Sequence, residues 1–532
     1  MQNPAHQDAV PASAIGASDW IRYHASHRPD SVAISSVSNG RSFTYRQFSE
    51  RIDALAHWLT TACGVKSGKR VLHLSKTRIE AFEVQFACMR LGAIYVPVNW
   101  RLNIAELLVI AADAEPCVTV YEPAFENAAR AIEKQQHCTL LVFAEDGVED
   151  SPYEQALARK LQPFESIGPL DWETTWILLY TSGTTGVPKG AMLSYRMMSF
   201  NALNFIPTVN LSSSTTFLCC TPIFHTAGLN CYANPVFYCG GHVIVMSDFA
   251  PQKTLELFSS KAVGITHFFA VPTMYQSISE LKNFAQASFP TLINAGCGGA
   301  PATESLVSRW LDKGIPIQPA YGMTEIGPAI AISNTAHVQN KRLSVGHFAM
   351  NGEMRVVDEK NQPVHPGSVG ELQVRGAILM SGYWKKPKQT RESYTDDGWF
   401  RTGDAVRQDT EGCLYIVDRY KDMYISGGEN VYPTEVENAI AKHPAVLRTA
   451  VIGVKDAKWG EVGEAYVVLK QGSDVTHEKL NEHLAALLAR YKLPKMYHFV
   501  DELPQTGSGK VKRAELRAMR AASQKIFEES RQ

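Results

Sequence analysis

Tyr180-Thr181-Ser182-Gly183-Thr184-Thr185-Gly186-Val187-Pro188-Lys189-Gly190 follows an apolar run, Trp176 to Tyr180, that reads as a buried strand. The strand empties into a loop whose residues are almost all small, hydroxylated or glycine. Glycines at 183, 186 and 190 let the backbone bend so that successive N–H groups converge on one point. Thr181, Ser182, Thr184 and Thr185 add hydroxyl donors, and Lys189 adds positive charge. Such a loop is suited to an anion, and phosphate is the obvious guest. The P-loop of nucleotide triphosphatases needs Gly-Lys-Ser/Thr at the mouth of a helix. Here Lys189 is followed by Gly190 and by Ala191-Met192-Leu193, which reads as another strand, so that reading fails.

Working outward, 532 residues are too many for one core and suggest two or more domains. Acidic and basic residues nearly cancel, with a formal net charge of -1, and no dense basic run is present. Nucleic acid and anionic membrane surfaces are therefore poor partners, and a small-molecule enzyme is the better expectation. The ten cysteines show no C-x-x-C spacing and sit in apolar segments, as reduced, packed thiols do. Met1 to Ser13 lacks the basic start and apolar block of a secretory signal. No apolar run suggests a transmembrane segment, and Ser530-Arg531-Gln532 is not a peroxisomal tripeptide. A soluble, cytoplasmic protein is expected. Oligomeric state stays open, a homodimer included.

Upstream of the loop, strands and helices alternate. Val32-Ala33-Ile34 reads as a strand, and Thr44 and Gln47 have capping-box spacing ahead of a helix with Phe48, Ile52, Leu55 and Leu59 on one face. Val71 to Leu74 (strand), Glu80 to Leu91 (helix) and Ala93 to Val98 (strand) form a βαβ unit, and Leu107 to Ala112 and Cys117 to Val120 continue it. An α/β fold is predicted, a layered sheet with helices on both faces. Past Ser344-Val345-Gly346 the chain turns β-rich, with Glu371 to Arg375 alternating as a half-buried strand. A burst of charge after the strand Leu414 to Val417 marks a linker. Beyond it, Thr434 to Glu437 has the spacing of another capping box, and Leu480, Leu484, Leu487 and Leu488 share one helical face.

Five further phrases punctuate this frame: Pro222-Ile223-Phe224-His225-Thr226-Ala227-Gly228, the glycine-rich loop Asn294 to Pro301, Tyr321-Gly322-Met323-Thr324-Glu325, Gly403-Asp404, and Thr506-Gly507-Ser508-Gly509-Lys510. With the opening loop they resemble, by residue type, order and spacing over roughly residues 15 to 515, the AMP-forming acyl-CoA synthetases of the adenylate-forming superfamily. The resemblance implies a large N-terminal domain (1–418) of helix-flanked sheets with a small β-barrel-like part. A hinge (419–423) pivoting at Lys421 and a small, mobile α+β C-terminal domain (424–532) complete it.

It also implies the chemistry. A carboxylic acid and ATP would give an acyl-adenylate and pyrophosphate, and coenzyme A would then give the thioester and AMP. Lys510, Thr324, Glu325 and His225 are the catalytic candidates, with Glu325 and Thr181 toward Mg2+. Thr181, Ser182, Gly183, Thr184, Thr185 and Lys189 would face the phosphates, and Gly299, Ala300, Pro301, Tyr321 and Gly322 the adenine. Asp404 and Arg419 would face the ribose, and Gly427 and Gly428 the passage for the thiol. The acyl pocket would draw on His225, Val271, Met274, Gly296, Cys297 and Met323. Amino-acid-activating members keep an aspartate where His225 stands, so the substrate is expected to lack an α-amine. A fatty acid is the first expectation for it, an aromatic or alicyclic acid the second. Transfer to a carrier protein, or a non-catalytic acyl-nucleotide sensor, are the alternatives, the latter disfavoured by Lys510 and Glu325.

Overall fold

A computed structural model describes residues 16–144, 151–158, 170–181, 188–419, 422–426, 429–456, 459–505 and 511–529. The apolar run at 176–180 lies inside the strand Thr175–Thr181, which pairs antiparallel with Lys189–Ser194. Trp176 is fully buried, stacks on Tyr195 at 5.3 Å and donates its indole N–H to the Gln85 carbonyl at 2.9 Å. The hairpin joins a seven-stranded sheet in the spatial order 382–383, 189–194, 175–181, 94–97, 70–74, 118–121, 139–142. Its middle strands are parallel and connected by helices, as the βαβ reading requires.

A second, nine-stranded sheet is parallel from Ile317–Met323 through 294–297, 267–270, 216–219 and 242–245 to Val32–Ser36, with antiparallel strands at both edges. The helix Ile79–Leu91 packs toward both sheets, and every one of its residues is buried. Its charged side chains are paired: Glu80 with Arg41 at 2.6 Å, Glu83 with Arg51 and the Tyr153 hydroxyl, Arg90 with Asp19 at 2.7 Å. Pairing of this kind is what allows charge inside a core. The helix ends at Gly92, whose φ of 61° places it in the left-handed conformation that closes a helix at low cost. The preceding helix, Tyr45–Thr61, opens with the expected reciprocal capping box between Thr44 and Gln47.

The β-rich part is an antiparallel sheet in the order 353–357, 369–375, 400–408, 414–419. It is tied to its neighbour by the bridge between Gly346 and Leu414. The small C-terminal part has its own five-stranded sheet around Gly460–Leu469, flanked by the helices Pro433–Ile440, His477–Ala485 and Arg513–Glu529.

Three local expectations need correction, and the Tyr321 phrase has a structure of its own. Asn294 to Cys297 is a strand rather than loop, because it completes a ladder between 267–270 and 317–319. Tyr321 to Met323 likewise ends a strand, and only Thr324–Ile326 is a turn, a short 3₁₀ one. The Thr434–Glu437 capping box does not form: Pro433 already occupies the first helical turn, and the Thr434 N–H donates to Asp418 at 2.7 Å. The Glu437 carboxylate accepts from the Val451 N–H and from Arg513 instead. The helix carrying Leu480 and Leu484 stops at Ala485, which leaves Leu487 45% exposed. All ten cysteines are free thiols; Cys63, Cys117 and Cys239 are half-buried and the others buried. Among the described residues no helix is long and apolar enough to cross a membrane.

Candidate functional site

The register of the hairpin sets Thr181 opposite Lys189 and Tyr180 opposite Gly190, which makes Thr181 and Lys189 its last paired residues. Ser182, Gly183, Thr184 and Thr185 lie outside the described residues, as do Lys421, Gly427, Gly428 and Lys510. The Thr181 hydroxyl donates to the Lys189 carbonyl at 3.4 Å, which leaves its lone pairs for another partner. Gly190 serves a different purpose from the one expected of it. It is in the strand, and a Cβ there would stand 2.7 Å from Leu178 Cδ1, so its bareness lets the hairpin pack and does not bend the loop.

A segment absent from the sequence-based reading links this hairpin to Glu325. The short strand Gly382–Tyr383 pairs with Ala191 and Met192, and the Trp384 N–H donates to the Gly190 carbonyl at 2.8 Å. The Lys189 ammonium lies over the Tyr383 ring, 5.3 Å from its centroid. The Tyr383 hydroxyl donates to Glu325 Oε1 at 2.9 Å, and the Met380 N–H to the Glu325 carbonyl at 2.9 Å. Burial, and next the Glu325 carboxylate, push the Tyr383 phenol far above its ordinary range, so it stays a hydrogen-bond donor at any working pH. Glu325 is buried with its carboxylate thus oriented, a hard oxygen donor of the kind magnesium takes. No pattern in the sequence marks Tyr383, which stands 58 residues from Glu325 and almost two hundred from Lys189.

Tyr321 and Asp404 form a second unit. The Tyr321 hydroxyl donates to Asp404 Oδ2 at 2.5 Å, and Asp404 pairs across the antiparallel ladder with Arg419. Asp404 is 3% exposed; its own N–H donates to Thr402 Oγ1 at 3.1 Å. Gly322, between Tyr321 and Met323, has no room for a side chain: a Cβ would come within 2.5 Å of the Gly327 and Pro328 backbone. Thr324 begins the turn whose second residue is Glu325.

The His225 turn is held by its own backbone. The His225 N–H donates to the Pro222 carbonyl at 3.2 Å and the Gly228 N–H to the His225 carbonyl at 3.0 Å, while a Cβ on Gly228 would sit 2.3 Å from the Pro222 oxygen. A π-helical turn, Ala227–Cys231, follows. A buried amide ladder supports it: Gln85 donates to Asn234, Asn234 to Asn230, and Asn230 to the Thr226 hydroxyl, at 2.8, 2.8 and 3.0 Å.

The expected acyl-pocket residues divide between two faces of the nine-stranded sheet. Gly296 faces Tyr232 and Phe269, where a Cβ would lie 2.8 Å from the Tyr232 hydroxyl and 2.9 Å from the Phe269 ring. Tyr232 is fixed there by donating to Asn294. Val271 lies against Gly299 on the loop that continues through the exposed Ala300 and Pro301, and Met323 packs against the same core as Tyr232. Cys297, the next residue after Gly296, points to the other face among Ile317, Phe268 and Tyr275, where burial pushes its thiol far up, and Met274 packs against that second core.

Three comparisons bear on this arrangement. The family model for AMP-binding enzymes matches residues 21–384, and that for the AMP-binding enzyme C-terminal domain matches 435–510. A feruloyl-CoA synthase from Amycolatopsis sp is 38% identical over 502 residues, 94% of this chain and 98% of the relative. An indoleacetate–CoA ligase from Aromatoleum aromaticum is 35% identical, over 94% of this chain and 98% of its own. Among solved structures, ATP-bound MatB from Rhodopseudomonas palustris superposes with a TM-score of 0.86 at 30% identity, covering 95% of this chain and 99% of its own.

Proposed function

The chain belongs to the AMP-binding, adenylate-forming enzyme family, and from that membership we propose that it ligates an aromatic carboxylic acid to coenzyme A. The acid's carboxylate attacks the α-phosphorus of ATP, the α–β bond breaks, and acyl-adenylate and pyrophosphate result. The thiol of coenzyme A then attacks the acyl carbonyl carbon, loses its proton and displaces AMP.

The residues take the parts that family membership suggests, and the contacts around Lys189, Glu325 and Asp404 are consistent with them. Lys189, steadied over the Tyr383 ring, offsets phosphate charge together with the hydroxyls of the 181–185 loop. Glu325, oriented by Tyr383, and the Thr181 hydroxyl hold magnesium. Magnesium there supplies neutralisation of charge on the phosphates. Asp404 accepts the ribose hydroxyls with Tyr321 bracing it and Arg419 opposite, the loop through Gly299, Ala300 and Pro301 lies against the base, and Gly322 lets the Tyr321 strand pack on Gly327 and Pro328. Thr324 and Lys510 meet the reacting carboxylate and α-phosphate, and His225 stands between acyl pocket and phosphates. For the second step the part beyond residue 423 turns about Lys421 and brings Gly427 and Gly428 over the site.

The observation that carries the acid's class is the likeness over 94% of the chain to a feruloyl-CoA synthase and an indoleacetate–CoA ligase. Gly296 itself is packed against Tyr232 and Phe269, with Tyr232 fixed by Asn294. On the relatives' named substrates the aromatic acid is preferred here to the fatty acid expected first.

Pyrophosphate release with MgATP over a panel of cinnamates, arylacetates and straight-chain fatty acids, with and without coenzyme A, tests the proposal. Release with aryl acids and formation of the aryl-CoA thioester are expected. Turnover confined to long-chain acids would overturn the substrate class. Adenylate that accumulates despite coenzyme A would move the acceptor to a carrier protein.

A further inference from the structure

Away from the nucleotide and acyl regions, three nitrogen and sulfur donors from three segments meet. His337 belongs to the helix Thr335–Asn340, His347 to the edge strand His347–Phe348, and Cys413 directly precedes the strand Leu414–Arg419. One ligand atom from each lies within 4.8 Å of the other two. Cys413 Sγ is 3.8 Å from His347 Nε2. Around tetrahedral zinc, with Zn–S of about 2.3 Å and Zn–N of about 2.0–2.1 Å, neighbouring sulfur and nitrogen ligands stand roughly 3.5 Å apart. The pair is therefore already near ligating separation.

Two further observations point the same way. His337 Nδ1 is buried and has no hydrogen-bond partner among the described residues, an uncommon state for a buried polar atom. The surroundings also suit a cation. The Lys341 ammonium, 3.6 Å from Cys413 Sγ, would by itself oppose one, but it is matched by Asp409 at 2.7 Å and Glu411 at 3.0 Å, which leave a net negative charge. His347 Nε2 also contacts the Glu411 carbonyl at 3.0 Å, and that contact is surrendered on binding.

We propose that His337, His347 and Cys413 bind one borderline-soft divalent cation, zinc by the chemistry of the donors, with the fourth position open to solvent beside His347. Binding exchanges the thiol proton of Cys413 for the metal and releases it to solvent. The site clamps two sheets together, because His347–Phe348 is the edge of the nine-stranded sheet and Leu414 begins the last strand of the antiparallel one. No step of the ligation passes through it.

Cobalt(II) titrated into the full-length, reduced, chelator-treated protein tests this. A thiolate-to-cobalt charge-transfer band saturating at one equivalent, with the strong visible bands of tetrahedral cobalt, and its bleaching by zinc, are expected. Loss of the charge-transfer band in Cys413→Ser supports the proposal; its persistence, or its absence from the parent protein, overturns it. Should Cys413→Ser fail to fold, the surface variant His347→Ala decides alone. Loss of second-shell partners already weakens metal sites by about 10–100-fold, so losing a ligand should weaken cobalt binding by at least about a hundredfold. Undiminished affinity in His347→Ala, with ligase activity showing it folded, refutes the site.

Discussion

Tyr383→Phe isolates the link between the phosphate hairpin and the carboxylate assigned to magnesium. The substitution keeps the ring under Lys189 and removes only the hydroxyl that donates to Glu325 at 2.9 Å. A hydrogen bond to a buried charged acceptor contributes about 1.5–3 kcal/mol. At about 1.4 kcal/mol per decade, its loss should lower the rate of adenylate formation roughly ten- to a hundredfold. On the proposed role of Glu325 in holding magnesium, the defect should depend on magnesium. The half-saturating Mg2+ concentration should rise, while KM for the aryl acid stays put. Pyrophosphate release over a magnesium series gives both quantities, and an unchanged melting temperature shows that the fold is intact. Tyr383→Leu, which also removes the ring, should add about 0.5–2 kcal/mol, seen as a higher KM for ATP. A Tyr383→Phe enzyme within about twofold of the parent rate, with the same magnesium dependence, would refute the reasoning.

Asp404→Asn keeps the size of the side chain but weakens its acceptance from Tyr321 and from ribose hydroxyls; KM for ATP should rise about tenfold or more with the acid's KM unmoved, and equal rises in both would point to general damage. Gly296→Ala brings a methyl within 2.8 Å of the Tyr232 hydroxyl and 2.9 Å of the Phe269 ring, so the melting temperature should fall, and an unchanged melting temperature would show that the site has room for it. Acid should destabilise the large domain through buried neutral histidines: burial pulls His242 down to about 4 and His73 to about 3. Between the unfolded value of about 6.5 and these folded values the unfolded chain binds more protons, so stability is complete above about pH 6.5 and falls as pH drops toward 4. Melting curves across that range should fall less steeply for His242→Gln than for the parent, and parallel curves would exclude His242 as a source.

Much of this was legible in the sequence because it is local. The Thr44–Gln47 capping box, the strand feeding the phosphate loop and the βαβ alternation depend on neighbours a few residues away. The failures are mostly long-range. Thr434 and Glu437 have capping-box spacing, but Asp418, Val451 and Arg513 claim their groups across the fold. Gly190 has the residue type of a phosphate loop, but its neighbour Leu178 gives the glycine its reason. Gly296 and Cys297 are adjacent in the acyl phrase, yet the two-residue period of a strand sends them to opposite cores. Tyr383 announces itself by no motif, since its importance is a matter of which two distant charges meet its ring and its hydroxyl.

The helix Ile79–Leu91 bears on how the large domain comes apart. A segment buried on every side, with Arg41, Arg51, Tyr153 and Asp19 held to it from several elements, has no exposed face along which one sheet could peel away first. Opening the layer that carries Arg41, Arg51, Tyr153 and Asp19 strips partners from charges inside the core. Amide protons in the strands on both sides of this helix should therefore exchange with deuterium through one shared opening, at one free energy, and the two sheets should behave as a single cooperative unit.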